Sequence, residues 1–170
     1  MVFLKGREQG CARLIVDHHC TVRELSVAER RVRSRSKPET QMFRAEIILI
    51  VEDEPIIAMD LADAVSELGG GVVGPFATVW EAFASLEHNA ISGAILDATL
   101  QDRDITPLAA HLIGRDIPIV IHSGTGLPKE LAALHPDLAV IAKPATSSWV
   151  TSRLARGMGL AQPARIDAPK

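Results

Sequence analysis

The sequence contains no tyrosine, only two cysteines and no long apolar run. A membrane-spanning helix needs about 18 or more apolar residues in succession, so no membrane insertion is expected. The opening "MVFLKGREQG" has no apolar segment of the length that a secretory signal requires. Both cysteines, Cys11 and Cys20, precede the part of the chain with regular patterning. We therefore expect no structural disulfide and a cytoplasmic location.

Charge is distributed unevenly along the 170 residues, whose net charge is −3. Residues 1–44 contain ten Lys and Arg against five Asp and Glu, whereas residues 45–170 contain eight against sixteen. This change of charge coincides with the start of regular apolar patterning. We predict a basic, disordered extension over residues 1–44, one folded domain over 45–158 and a flexible tail over 159–170.

From residue 47 onward, short apolar runs alternate with segments of helical periodicity. The run "EIILIV" is short enough for a strand buried on both faces, and Pro55 suits the first turn of the next helix. Thr78 and Glu81 form a capping-box pattern at the start of another. The predicted strands are "EIILIV", "VVGPF", "SGAILD", "IPIVIHS" and "LAVIAK". Five strands alternating with five helices predict an α/β domain with a parallel sheet between two helical layers.

Polar side chains follow four of these predicted strands. Glu52 and Asp53 end the first strand, Asp97 the third, Ser123 the fourth and Lys143 the fifth. The carboxyl ends of parallel strands lie at one edge of a sheet, where α/β proteins bind their ligands. We therefore expect these five side chains to converge on one site.

The residue types at this edge indicate phosphoryl chemistry with a divalent cation. Mg²⁺ prefers oxygen ligands, which Asp53 and Asp97 would supply directly and Glu52 directly or through water. Asp97 is then the expected nucleophile towards a phosphoryl donor. Lys143 would pair with the incoming phosphate, and Ser123 would donate a hydrogen bond to another phosphoryl oxygen.

Residues 46–157 resemble the receiver domain of two-component response regulators. The motifs that carry the resemblance are "ILIVEDEP", "AILD", "IVIHSG" and "IAKP", and "VVGPFATVWEAF" further resembles single-domain regulators of alpha-proteobacteria. The resemblance implies a flavodoxin-like, three-layer (βα)5 fold with strand order 2-1-3-4-5 and a cis peptide before Pro144. It also implies Mg²⁺ dependence, with the backbone carbonyl of Thr99 as a further ligand. Asp97 would be phosphorylated by a sensor histidine kinase or a histidine phosphotransfer protein, and an unknown downstream protein would read the result.

The sequence departs from the family pattern at three places. Val140 stands where many members carry the aromatic residue that responds to phosphorylation, and Ala145 stands where an aromatic often follows the Lys-Pro pair. The segment "DATLQDRDITP" lacks the proline and glycine usual after the phosphoacceptor. These departures leave the phosphoryl chemistry intact and leave the output mechanism open.

We expect a stand-alone phosphoacceptor module that is not a turnover enzyme. Two alternative functions remain to be weighed against it. An Asp-nucleophile phosphohydrolase would need a second Asp two residues after Asp97, where the chain has Thr99. A degenerate receiver used only for protein binding agrees with Val140 but not with the full set of acids, Ser123 and Lys143.

The N-terminal segment carries weaker signals. Its basic run over residues 30–37 has no interleaved aromatics and no helix-turn-helix after it, so nucleic-acid binding is not expected. "DHHC" at residues 17–20 matches a palmitoyltransferase signature without the membrane helices and cysteine-rich module that such an enzyme needs. One interpretation of this segment is that translation begins at Met42; the other is a disordered extension.

Overall fold

The structure, a computed structural model, describes residues 41–160 of the chain. The basic run, the "DHHC" segment, both cysteines and most of the predicted extension and tail lie outside the described residues. None of the helices between residues 41 and 160 combines the length and the apolar character needed to cross a bilayer.

Five strands alternate with five helices along the described chain. The strands are β1 (Ile47–Val51), β2 (Gly71–Phe76), β3 (Gly93–Leu96), β4 (Ile119–Ser123) and β5 (Val140–Ala142). The helices are α1 (Pro55–Glu67), α2 (Val79–Leu86), α3 (Thr106–Ile113), α4 (Lys129–Leu134) and α5 (Ser147–Gly157). Each lies within or close to its predicted segment, and the predicted strand and helix types are confirmed.

All strands are parallel and form one sheet in the order β2-β1-β3-β4-β5. The α/β flavodoxin-like fold and its strand order are therefore confirmed. The order reverses at β1, whose two neighbours are β2 and β3. Sites in open parallel sheets form at such a point of reversal, beyond the carboxyl ends of the strands.

Two apolar layers cover the two faces of the sheet. Alternate strand residues such as Leu49 and Leu96 pack with α2, α3 and α4, whereas their neighbours Ile50 and Ile95 pack with α1 and α5. Nearly all of these strand side chains are inaccessible to solvent. Burial on both faces explains why β1 is a continuous aliphatic run, since each position meets one core or the other.

The chain enters the folded unit a few residues before β1. Met42 and Phe43 are buried against the α1 side of the core, and the Phe43 amide donates to the Leu68 carbonyl at 2.9 Å. Gly70 allows this approach, because a Cβ there would lie 2.8 Å from Val65 Cγ1 and 2.9 Å from Phe43 Cβ. These two residues precede residue 45, so the packed domain begins before the predicted boundary.

Two side chains cap the start of helix α2: Thr78, as predicted, and Asp102, which the sequence pattern did not predict. The Thr78 hydroxyl accepts from the Glu81 amide and donates to the Glu81 carboxylate at 2.8 Å. The free amides of Val79 and Trp80 donate to the carboxylate of Asp102, at 3.0 and 3.3 Å. Asp102 therefore ties the loop after β3 to the first turn of α2, where backbone amides lack partners within the helix.

We expect Phe43→Ala to lower the free energy of unfolding by roughly 3–5 kcal/mol, because it removes a fully buried aromatic ring and leaves a cavity. Leu134→Ala is the matched control, since Leu134 is 60% exposed, and should change it by less than about 0.5 kcal/mol. Urea denaturation of both variants gives the comparison. Equal effects would show that the segment before β1 is not part of the core.

Candidate functional site

The sheet brings the predicted site residues to one edge. In the register of the sheet Val51 pairs with Leu96 and Leu96 with Ile121, so Glu52 and Asp97 emerge beside each other. Backbone hydrogen bonds continue just past the strands, from the Asp97 amide to the Val51 carbonyl at 2.8 Å and from the Lys143 amide to the Ser123 carbonyl at 2.9 Å. The backbone positions of these residues are therefore set by the sheet itself.

Lys143 contacts three carboxylates at once. Its Nζ donates to Asp97 Oδ2 at 2.7 Å, to Glu52 Oε1 at 2.8 Å and to Glu54 Oε1 at 3.1 Å. The Glu52 and Asp97 side chains are 1% and 10% exposed, whereas that of Glu54 is 62% exposed. Solvent weakens the third contact. The two buried pairs therefore dominate, and they offset the repulsion between acids that the sequence concentrates here.

The pKa values of Glu52 and Lys143 are both raised, but by different causes. Burial raises the pKa of Glu52 to about 7, against the lowering effect of its hydrogen bond to Lys143 and with a further rise from the charge of Asp97. Burial alone would lower the pKa of Lys143, but its hydrogen bonds to Asp97, Glu52 and Glu54 raise that pKa above its ordinary value. Lys143 is thus a permanent cation, and Glu52 titrates near neutral pH.

The carboxylates that gather are not all those predicted. Oxygens of Glu52, Glu54 and Asp97 lie within 4.8 Å of one another and could hold a metal ion. Asp53 is half-buried and lines a separate cavity of about 260 Å³ on the β2 side of α1, together with Glu52 and Met59. Sequence reasoning named Glu52 and Asp53 as ligands and did not assign Glu54, although it belongs to the same acidic run.

A further observation supports a hard cation among the carboxylates of Glu52, Glu54 and Asp97. Glu52 Oε2 is buried and has no hydrogen-bond partner. A buried carboxylate oxygen without a partner is costly, and a cation satisfies it. The donors are all carboxylate oxygens, which Mg²⁺ prefers to nitrogen or sulfur.

Ser123 is buried at the end of β4, and its hydroxyl is engaged within its own loop. It donates to the Gly126 carbonyl at 3.0 Å and accepts from the Thr125 amide at 3.2 Å, with Thr125 Oγ1 at 3.4 Å. The predicted bond to a phosphoryl oxygen would require the hydroxyl to rotate away from Gly126. The role of Ser123 therefore stays a prediction.

Aspartates organise the loop after Asp97 in place of the missing proline and glycine. The Thr99 amide donates to Asp97 Oδ1 at 3.3 Å, and Thr99 forms an antiparallel bridge with Asp104. Asp104 accepts from the Thr106 amide at 2.8 Å at the start of α3, and hydrogen bonds to Thr106 lower its pKa. The backbone amide of Val79 likewise lowers the pKa of Asp102. The role of the Thr99 carbonyl as a metal ligand stays a prediction.

Two features that the resemblance implied lie on β5 and the loop after it. The peptide bond between Lys143 and Pro144 is cis, as implied. Val140, where an aromatic switch is common, is 43% exposed and therefore presents a small aliphatic surface at the edge strand.

The chain is similar to solved structures of response regulators. SdrG from Sphingomonas melonis Fr1 is 33% identical, with 68% of this chain and 96% of that chain covered and a TM-score of 0.56. A response regulator receiver protein from Sinorhizobium medicae WSM419 is 28% identical, with 68% and 95% covered and a TM-score of 0.59. The response regulator PhyR from Brucella abortus is 27% identical with a TM-score of 0.58; 71% of this chain and 51% of PhyR are covered.

The fold, the site and these similarities identify the chain as a member of the response regulator receiver family. It spans about half the length of PhyR. No family model matches the chain, and no curated protein matches it.

The raised pKa of Glu52 predicts a loss of stability as pH rises. Between its ordinary pKa of 4.5 and its folded value of about 7, the folded state binds more protons than the unfolded state. The free energy of unfolding therefore falls as pH increases through this window. Glu52→Gln cannot titrate, so the fall should shrink by on the order of 1 kcal/mol or more.

Urea denaturation at pH 4.5 and 7.5 in the presence of EDTA measures this difference. Glu54→Gln is the matched control, because it removes an acid from the same site but keeps the buried Glu52 carboxylate. A wild-type slope retained in Glu52→Gln would contradict the assignment.

Proposed function

We propose that this receiver domain accepts a phosphoryl group on Asp97 in a phosphorelay, from a sensor histidine kinase or a histidine phosphotransfer protein. The observation that carries the proposal is the 2.7 Å contact between Lys143 Nζ and Asp97 Oδ2 in a buried acidic site. A lysine held there by carboxylates serves no apolar packing role, but it can pair with phosphate charge. We further propose that the protein acts in the cytoplasm as a stand-alone module, by changing its affinity for a downstream protein.

The proposed transfer is an in-line displacement at phosphorus. A carboxylate oxygen of Asp97 forms the new P–O bond while the P–N bond to the donor histidine breaks, and the histidine nitrogen keeps that electron pair. Lys143 turns part of its hydrogen bonding from the carboxylates to the arriving phosphoryl oxygens. Ser123 contributes a hydrogen bond after its hydroxyl leaves the Gly126 carbonyl. A single transfer leaves the phosphoryl group on Asp97 of the protein itself. The proposed role is therefore that of a phosphoacceptor and not of an enzyme that turns over repeatedly.

Mg²⁺ is the proposed metal. Glu52 and Asp97, with Glu54 or the predicted Asp53 and the Thr99 carbonyl, would hold it. When bound, the ion supplies positive charge that offsets both the acids and the phosphoryl oxygens. The unpaired Glu52 Oε2 supports this assignment.

A degenerate receiver that only binds proteins is the second candidate. It is favoured by Val140 at the switch position and by the Ser123 hydroxyl bonded within its own loop. Such a protein would bind its partner equally well with and without Asp97. Direct labelling separates the two functions.

We expect the wild-type protein to incorporate phosphate from acetyl phosphate in the presence of Mg²⁺, as an acid-stable and alkali-labile acyl phosphate. Asp97→Asn should reduce labelling at least about a hundredfold, because an amide is a poor nucleophile. Asp102→Asn, in the same loop, is the control and should retain labelling. Labelling that survives Asp97→Asn would refute the assignment.

Lys143→Ala should leave a protein that is still labelled, more slowly, but whose structure responds weakly to phosphorylation. The physical reason is that Lys143 joins Asp97, which follows β3, to the loop after β5, and the variant breaks that link. The comparison is the change in backbone amide NMR shifts on phosphorylation, with Lys129→Ala on α4 as the control. Wild-type shift changes in Lys143→Ala would contradict the role given to Lys143.

A further inference from the structure

Lys143 uses all of its hydrogen-bond donors within the acidic site. Its ammonium group carries three N–H bonds, and three carboxylate oxygens accept from it, those of Asp97 at 2.7 Å, Glu52 at 2.8 Å and Glu54 at 3.1 Å. A phosphoryl oxygen can therefore accept a full hydrogen bond from Lys143 only if one of these carboxylates gives up its place. Burial and the role of each acid decide which one yields.

Glu54 is the carboxylate that leaves Lys143 at the lowest cost. The Glu52 side chain is 1% exposed, so its separation from Lys143 would leave a buried negative charge without a cation. The Asp97 side chain is 10% exposed, and its carboxylate has to stay in place to attack phosphorus. The Glu54 side chain is 62% exposed, so water solvates its carboxylate as soon as the contact breaks.

The Glu54 side chain can leave Lys143 without a change in the backbone. The Glu54 amide donates to Glu52 Oε1 at 3.3 Å, and the Glu54 carbonyl accepts from the Ala58 amide at 2.9 Å in the first turn of α1. These two bonds fix the main chain. Glu54 is also the N-cap residue of α1, but its side chain makes no cap hydrogen bond. A released carboxylate therefore remains beside the first amides of α1, where the helix dipole favours negative charge.

We propose that Glu54 is an intramolecular competitor of the phosphoryl group for Lys143. Its carboxylate occupies one N–H bond of Lys143 until a phosphoryl oxygen displaces it, and it then turns towards solvent and the start of α1. Glu54 acts through Lys143 and is therefore a positioning residue, whose effect is to lower the affinity of the site for phosphoryl groups. This inference deepens the proposed phosphoacceptor function and rests on it.

Two substitutions separate the contact with Lys143 from the charge of Glu54. Glu54→Gln removes the charge, so the hydrogen bond to Lys143 weakens and the repulsion of phosphoryl oxygens disappears. Glu54→Asp keeps the charge, but its side chain is one methylene shorter and no longer reaches Lys143. Asp60→Asn is the control, because Asp60 lines the same cavity as Glu54 and none of the ion pairs described for Lys143 involves it.

The probe is beryllofluoride, which imitates a phosphoryl group on a carboxylate, titrated at saturating Mg²⁺ and followed by backbone amide NMR shifts. We expect Glu54→Gln to bind it roughly three- to fivefold more tightly than the wild type, since an exposed charge contact contributes little. Glu54→Asp should bind it about twofold more tightly, and Asp60→Asn as the wild type does. The difference between the wild type and Glu54→Gln should shrink at high salt, which screens an exposed carboxylate.

A second measurement needs neither metal nor beryllofluoride. In EDTA, the ¹⁵N resonance of the Lys143 ammonium group reports the hydrogen bonds that this group donates. The resonance should shift in both Glu54→Gln and Glu54→Asp and stay at its wild-type position in Asp60→Asn. An unshifted resonance in both Glu54 variants would show that Glu54 does not occupy Lys143 and would overturn the proposal.

The beryllofluoride titration distinguishes failure of this inference from failure of the proposed function. Wild-type binding that Glu54→Gln leaves unchanged or weakens, as a metal-ligand role of Glu54 would predict, refutes the inference alone. Tighter binding in Glu54→Gln but not in Glu54→Asp would assign the effect to charge only and refute the exchange at Lys143. An absence of binding in the wild type and in every variant would contradict the phosphoacceptor function and the inference with it.

Discussion

The site depends on one cation held among acids. Lys143 directly follows β5, the shortest strand of the sheet, and its ammonium group contacts acids that follow β1 and β3. Without it, Glu52 and Asp97 would be two buried carboxylates side by side, and burial would force one of them to take up a proton. With it, the carboxylate of Asp97 is held in place, but three acids still face one positive charge. That remaining negative charge supports the proposed binding of a divalent cation.

The fold could be predicted from the sequence because both of its periodicities are unambiguous. A five-residue aliphatic run such as β1 favours burial on both faces, and Pro55, four residues after its end, suits the first turn of a helix. The edge at which the functional residues meet follows from parallel strands alone. Asp97 and Lys143 could therefore be placed together without any knowledge of side-chain geometry.

Side-chain direction at the edge could not be predicted in the same way. Past the last paired residue of β1 the alternation of the strand no longer applies, so the sequence cannot decide which of Asp53 and Glu54 turns towards Lys143. Likewise, the hydroxyl of Ser123 has a choice between a phosphoryl oxygen and the Gly126 carbonyl. In the structure the hydroxyl is held within a local turn, where it also accepts from the Thr125 amide. Asp102 was missed because its partners, the Val79 and Trp80 amides, are more than twenty residues away in sequence.

The bonds from Asp102 have a mechanical consequence. The Thr99 amide donates a hydrogen bond to Asp97, and the loop that contains Thr99 continues to Asp102. The carboxylate of Asp102 accepts hydrogen bonds from two amides in the first turn of α2. If this loop moves, either the first turn of α2 moves with it or the hydrogen bonds between that turn and Asp102 break. Trp80 is 73% exposed at the point of attachment. Its indole, one of two in the chain, therefore lies where a movement of the loop after Asp97 would alter its surroundings.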